Sequence, residues 1–309
     1  MALLFQSKDD RAEPWVAALR HYGPELDVRI WPDAGDLAEI DYALVWKPPR
    51  GLLKTFPSLK VIFSIGAGID HLASDPELPR HLPVVRMVEP GLTAGMTEYV
   101  VFNVLAHHRR LLDVQALQRA TDWDMLEVPI APQRSVGILG LGVLGSEAAR
   151  ALVALGFKVA GWSRSPKSVD GVESFHGADG LKPFLARSEI VACLLPLTEE
   201  TNGVLNADAF AAMPRGAGVI NAGRGAHLVE DDLLAALESG QVGAAYLDVY
   251  SQEPLPPEHP FWSHPRVLMT PHIASITVPD SAAKTVVEGI RRFEAGKALD
   301  NVVDLDHGY

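Results

Sequence analysis

The chain has 309 residues, 48% of them hydrophobic, a size and apolar content that suit two folded domains of ordinary size. Lys and Arg total 27 against 39 Asp and Glu, and the formal charge of -12 opposes non-specific attraction to nucleic acid or to an anionic membrane surface. Its single cysteine, Cys193, excludes an internal disulfide and a cysteine-rich metal site, and points to a reducing cytoplasm.

The first segment, MALLFQSKDD, lacks a basic flank and predicts a strand, not a signal peptide. No apolar run approaches the roughly 18 residues of a membrane helix. ALLF, WVAALRHYG, VRIW, YALVWK and VIFSIG then alternate strand and helix patterns, which predicts a parallel sheet covered by helices. The stretch 93–120, TAGMTEYVVFNVLAHHRRLLDVQALQRA, predicts one long connecting helix, and its His107, His108, Arg109 and Arg110 predict a solvated or interface surface. A second alternating series starts at SVGILG (135–140) and runs through SEAARALVALG, KVAGW, EIVACLL, AGVINAG, VEDDLLAALESG and AAYLDV. In VEDDLLAALESG, Glu230, Asp231 and Asp232 suit the positive N-terminal end of a helix, and Gly240 supplies its stop. EPLPPEHP reads as a rigid loop. PDSAAKTVVEGIRRFEAG predicts a last helix, entered at Pro279 and closed near Gly296.

Gly140, Gly142 and Gly145 satisfy G-x-G-x-x-G directly after an apolar strand and before a helix. There the first glycine permits a tight turn, the second lets the backbone approach a pyrophosphate, and the third lets helix and strand pack closely. About 20 residues further on, an acidic residue would accept hydrogen bonds from an NAD ribose. GWSRSPK (161–167) has none; Ser163, Arg164, Ser165 and Lys167 stand there instead. An arginine offers charge-assisted hydrogen bonds to a 2′-phosphate that an aspartate would repel, so NADPH is the expected cofactor and NADH the weaker one. His259, His264 and His272 lack supporting cysteine or carboxylate spacing, so no metal is expected.

Downstream lie LLPLTEET (194–201), VINAGRGAHLVEDDLL (219–234), LDVYSQEPLP (247–256) and TPHIAS (270–275). With GLGVLG these blocks resemble, in order and spacing, the signature segments of the D-2-hydroxyacid dehydrogenases, and VIFSIGAGIDHL resembles that family's substrate loop. YALVWKPP, WSRSPKSV, VEDDLLAALESG and the closing GY most resemble the glyoxylate/hydroxypyruvate reductase A branch. The resemblance implies an α/β protein of two doubly wound parallel-sheet domains, with a cleft that closes about the connecting helices. One is a Rossmann dinucleotide-binding domain over 97–277; the other is a flavodoxin-like substrate domain over 1–96 plus 278–309.

By that resemblance Arg224, Glu253 and His272 match the family's catalytic arginine, glutamate and histidine. Reducing a 2-oxo acid needs a proton at the carbonyl oxygen, which a histidine supplies near neutral pH. A carboxylate beside it favours the proton-loaded form, whereas formate dehydrogenases carry glutamine at the position of Glu253. Arg224 presents a planar fork for a carboxylate or carbonyl oxygen. Val143, Leu144, Leu195, Pro196, Ala222, Asp248 and Ser275 are assigned to the cofactor in the same way, Asp248 near the nicotinamide carboxamide. Trp46 and the backbone of Gly66, Ala67 and Gly68 are assigned to the substrate, the three N–H groups forming an anion nest. TDWDMLEVPIAP (121–132) resembles the family's dimer arm, so a homodimer is expected. The expected activity is NADPH-dependent reduction of glyoxylate and hydroxypyruvate. Reduction of larger 2-oxo acids such as phenylpyruvate, or a dinucleotide-sensing corepressor role without turnover, stays open.

Overall fold

Apolar strands alternating with helices build two separate parallel sheets in the computed structural model, which describes residues 1–305. The chain divides into one unit formed by residues 1–92 with those from 276 on, and a second formed by 93–275. The closing Gly308 and Tyr309 lie outside the described residues.

The first unit contains β1 (Ala2–Ser7), α1 (Ala12–Tyr22), β2 (Asp27–Ile30), β3 (Ile40–Trp46), β4 (Val61–Ser64), α2 (Asp70–Ala73) and β5 (Val84–Val85). The strands are parallel in the order β2-β1-β3-β4-β5, the flavodoxin-like arrangement. Along β3, Tyr42 and Leu44 enter one apolar cluster while Ala43 and Val45 enter another. Both faces of the sheet are therefore covered, which is why its strands read as continuous apolar runs.

The predicted single connecting helix is two, α3 (Pro90–His108) and α4 (Leu111–Ala120). They break at Arg110, which adopts φ +58 and ties its guanidinium to Asp113 at 2.9 Å. No Gly or Pro marks this break, so the helical pattern conceals it. The basic cluster also departs from a wholly solvated surface: His108 is buried edge-on to Phe157, and His107 lies against Gly218 and Tyr246.

The second unit continues through β6 (Ser135–Leu139), α5 (Val143–Ala154), β7 (Lys158–Ser163), β8 (Val172–His176), α6 (Gly177–Ala186), β9 (Ile190–Cys193), α7 (Ala207–Ala212), β10 (Ala217–Asn221), α8 (Glu230–Glu238), β11 (Val242–Leu247) and β12 (Val267–Met269). The sheet order is β12-β11-β10-β9-β6-β7-β8, every pair parallel. Reading from β8 to β11 gives the Rossmann order 3-2-1-4-5-6, with β12 added at the edge. Val191 and Cys193 of β9 face one core, Ile190 and Ala192 the other. Finally α9 (Pro279–Glu294) returns to the first unit and buries Ala282, Ala283, Val286, Val287 and Ile290 there. No helix among the described residues is long and apolar enough to cross a membrane.

Candidate active site

With all seven strands of the second unit parallel, their carboxyl ends share one edge, and in doubly wound sheets that edge is where ligands bind. The sequence-predicted residues of this unit lie along it. Gly140 to Gly145 follow β6, Ser163 to Lys167 close β7, Leu195 and Pro196 follow β9, Ala222 and Arg224 follow β10, Asp248 and Glu253 follow β11, and His272 and Ser275 follow β12.

The glycine loop has the geometry a dinucleotide requires. Gly140 takes φ +107, and a Cβ on Gly145 would lie 1.8 Å from the Gly140 carbonyl oxygen, so only glycine lets α5 close on β6. In front of Gly142 nothing comes within 4 Å of a Cβ position. This open space stands at the N-terminus of α5, where free backbone N–H groups and the helix dipole favour a phosphate. The residues present thus fit a dinucleotide. Val143 is exposed beside the space, and Leu144 packs partly into the core.

At the end of β7 the Ser163 hydroxyl donates to the Ser165 carbonyl at 2.7 Å, which closes the loop and leaves Arg164, Ser165 and Lys167 exposed. Across the loop, Leu195 is buried and the Pro196 carbonyl accepts from the Thr201 hydroxyl at 2.8 Å. The Ala222 N–H donates to the Cys193 carbonyl at 3.2 Å, and Ser275 packs against Gly95.

His272 Nδ1 lies 2.7 Å from Glu253 Oε2, and Glu253 Oε1 accepts from the Tyr250 N–H at 3.1 Å. An ionised carboxylate only accepts, so Nδ1 carries a proton and Nε2 is the nitrogen left for chemistry. The two side chains are 36% and 31% exposed, open enough to meet a ligand and screened only in part. Arg224 is fixed through its backbone: its N–H donates to His227 Nδ1 at 3.0 Å and its carbonyl accepts from Asn221 Nδ2 at 3.0 Å. With Nδ1 accepting, the buried His227 donates through Nε2 to the Pro196 carbonyl at 3.2 Å. A Cβ on Gly225 would lie 1.9 Å from the Tyr250 backbone, so the Arg224 turn rests on the strand exit that leads to Glu253. Sequence reasoning missed His227, Asn221, Tyr250 and Thr270. Their only signal was a place inside the recognised blocks.

Asp248, 1% exposed, accepts at Oδ1 from the Thr270 hydroxyl (2.6 Å) and the Ile273 N–H (2.8 Å), and at Oδ2 from the Ala274 N–H (2.8 Å). Its carboxylate is bound up in the turn that carries His272, whereas the resemblance assigns it to the nicotinamide.

In the first unit, Trp46 ends β3 with its indole N–H donating to Asp9 Oδ2 at 3.1 Å and its ring 4.4 Å from that of His71, edge to face. The Gly66 N–H donates to Ser64 Oγ at 3.3 Å, while those of Ala67 and Gly68 meet no acceptor among the described residues. Among those residues no group of three His, Cys, Asp or Glu side chains is placed to hold a metal ion. In the arm 121–132, residues 122–130 form neither helix nor strand before a 3-10 turn begins at Ala131, and Trp123 (99%), Met125 (88%) and Ile130 (63%) are exposed.

Residues 101–274 match the family model described as D-isomer specific 2-hydroxyacid dehydrogenase, NAD binding domain. The chain is 45% identical, over the full length of both, to the glyoxylate/hydroxypyruvate reductase A of Serratia proteamaculans (strain 568). It is similar, at 46% identity and a TM-score of 0.97 over 100% of this chain and 99% of the other, to a D-isomer specific 2-hydroxyacid dehydrogenase from Xanthobacter autotrophicus Py2 solved in complex with NADPH and MES. An NADPH-dependent glyoxylate/hydroxypyruvate reductase from Sinorhizobium meliloti, solved with NADP and sulfate, gives 43% identity and a TM-score of 0.94 over the same shares.

Proposed function

The chain belongs to the D-isomer specific 2-hydroxyacid dehydrogenases, and on that premise we propose that it reduces small 2-oxo acids, glyoxylate and hydroxypyruvate foremost, with NADPH. The observation that carries this reading is the 2.7 Å pair of His272 and Glu253 on the ligand-binding edge that also bears the glycine loop. Full-length likeness to reductases named for these two substrates supports the substrate class, and likeness to structures that hold NADPH or NADP supports the cofactor.

When bound, NADPH supplies the hydride that reaches the carbonyl carbon. Gly140, Gly142 and Gly145 would leave room for its pyrophosphate, and Arg164 with Lys167 would hold its 2′-phosphate. Arg224 holds the substrate carboxylate or polarises the carbonyl through its guanidinium. His272 gives the proton on Nε2 to the carbonyl oxygen and is left as neutral imidazole, its Nδ1–H still on Glu253. One 2-oxo acid, one hydride and one proton thus become one 2-hydroxy acid. Glu253, itself held by the Tyr250 N–H, fixes the His272 ring so that Nε2 is the nitrogen free to act on the carbonyl oxygen. Trp46, Gly66, Ala67 and Gly68 are assigned to the substrate, and a Trp46 held by Asp9 and His71 favours a small one.

A homodimer assembled through the arm 121–132 belongs to the same proposal. An isolated chain would leave Trp123 and Met125 in water, and such exposure of large apolar side chains marks an interface. A cytoplasmic setting is supported by Cys193, free and buried. Steady-state oxidation of NADPH by purified protein with glyoxylate tests the activity; no turnover at micromolar enzyme with glyoxylate, hydroxypyruvate or pyruvate would overturn it.

A further inference from the structure

His272 stands in the left-handed region at φ +57, a backbone conformation a side-chain-bearing residue keeps only when its surroundings hold it. The holding groups form one connected set within the second unit. The His272 N–H donates to the Asp248 carbonyl at 2.8 Å, and the next two N–H groups, of Ile273 and Ala274, donate to the two oxygens of the Asp248 carboxylate. Thr270 is fixed at three atoms: its N–H donates to the Leu247 carbonyl (2.9 Å), its carbonyl shares the one Tyr250 hydroxyl proton with the Leu247 carbonyl (3.0 and 2.8 Å), and its own hydroxyl donates to Asp248 Oδ1 (2.6 Å).

The Thr270 hydroxyl has one proton, and that proton is on Asp248. Tyr99 Oη, 2.8 Å from Thr270 Oγ1, must therefore be the donor in their hydrogen bond. Burial pushes the Tyr99 phenol up to about 12, so it stays protonated and able to donate at working pH. The chain of donation runs from Tyr99 in α3 to Thr270, to Asp248, and there meets the two backbone N–H groups that follow His272.

We propose that Tyr99 and Thr270 are positioning residues for proton delivery: through Asp248 they hold the His272 turn in its left-handed conformation, with Nδ1 on Glu253 and Nε2 turned to the reacting oxygen. This rests on the reductase reading above. The set touches His272 only through its backbone, so its loss acts on the alignment of the proton donor and leaves the glycine loop and the Arg164 region as they are.

Thr270→Val keeps the shape of the side chain and removes both hydrogen bonds; Thr270→Ser restores them; Tyr99→Phe removes the outer one only. The expected result is a 10- to 100-fold fall in kcat for glyoxylate in Thr270→Val, with the NADPH KM changed less than threefold. Thr270→Ser should return to within about threefold of the parent, and Tyr99→Phe should fall in between. The solvent deuterium isotope effect on kcat should rise in Thr270→Val, because proton transfer becomes the slow step. Amide hydrogen exchange gives a readout that needs no turnover: the N–H groups of 272–274 should be protected in the parent and lose protection in Thr270→Val. An unchanged kcat, a rise confined to the NADPH KM, or unaltered protection of 272–274 would overturn the proposal. If Thr270→Val fails to fold, Tyr99→Phe carries the same kinetic and exchange tests. A parent enzyme that protects 272–274 but turns over no 2-oxo acid would instead remove the reductase reading.

Discussion

Replacing Glu253 with glutamine removes a charge from His272 while leaving a group of nearly the same shape. At an Nδ1 to Oε2 distance of 2.7 Å the charge centres stand roughly 4 Å apart, worth about 4 kcal/mol at an effective dielectric of about 20 and about 1 kcal/mol in bulk water. Exposure of roughly a third on each side chain screens the pair toward the lower limit, about 1 kcal/mol or roughly fivefold. A second loss adds to it. Glutamine has one carbonyl oxygen, and it can serve the His272 ring or the Tyr250 N–H but not both. Glu253→Gln should therefore lower kcat/KM for glyoxylate by 10-fold or more, measured by loss of NADPH absorbance. A change below twofold across the pH range, in protein with unaltered thermal midpoint, would refute the charge argument.

Other outcomes follow from the same structure. Arg164→Ala should raise the KM for NADPH severalfold or more and barely move that for NADH, since a hydrogen bond to a charged group is worth about 1.5 to 3 kcal/mol; equal effects on both cofactors would remove Arg164 from the phosphate site. His107 is held down to about 4, first by burial and then by the Arg134 charge. The unfolded chain therefore takes up its proton before the folded one as pH falls, so His107 contributes stability that is complete above about 6.5 and is lost toward 4, on the order of 3 kcal/mol in all. His107→Gln should flatten the rise of the urea midpoint between pH 4 and 6.5, and an identical slope would show that another group is responsible. Trp123→Asp combined with Met125→Asp should yield a monomer in sedimentation velocity; an unchanged sedimentation coefficient would place any interface elsewhere.

The strongest sequence signals came from residues that solve a local problem with little freedom. G-x-G-x-x-G could be read because three glycines at that spacing have three separate reasons to be glycine, and the structure gives each its reason. Strands such as β9 and β10 could be read because both faces are buried and the residues are almost all apolar. The edge strand β8, VESFH, lacks that signature, since none of its residues is fully buried, so the apolar pattern does not mark it. The break at Arg110 was hidden for a different reason: it is stabilised by a side-chain contact to Asp113, not by a residue whose backbone announces a stop. Site residues divided in the same way. Arg224, Glu253 and His272 are named by the blocks that contain them, whereas Thr270, Tyr250 and Tyr99 act through hydrogen bonds across 20 to 171 positions of sequence, which no local pattern records. Asp248 shows the limit most clearly. Its place in LDV points to a cofactor contact, while its two oxygens also bind Thr270 and the amides beyond His272, which no local pattern records.

In the proposed reaction this edge of the second unit binds NADPH and delivers a proton to a small 2-oxo acid. The most direct test is kcat/KM for glyoxylate, hydroxypyruvate and phenylpyruvate, each with NADPH and with NADH. Highest efficiency is expected for glyoxylate or hydroxypyruvate with NADPH. A large preference for phenylpyruvate would contradict the substrate class, a preference for NADH would contradict the reading of Arg164, and no turnover with any pair would leave a dinucleotide sensor in its place.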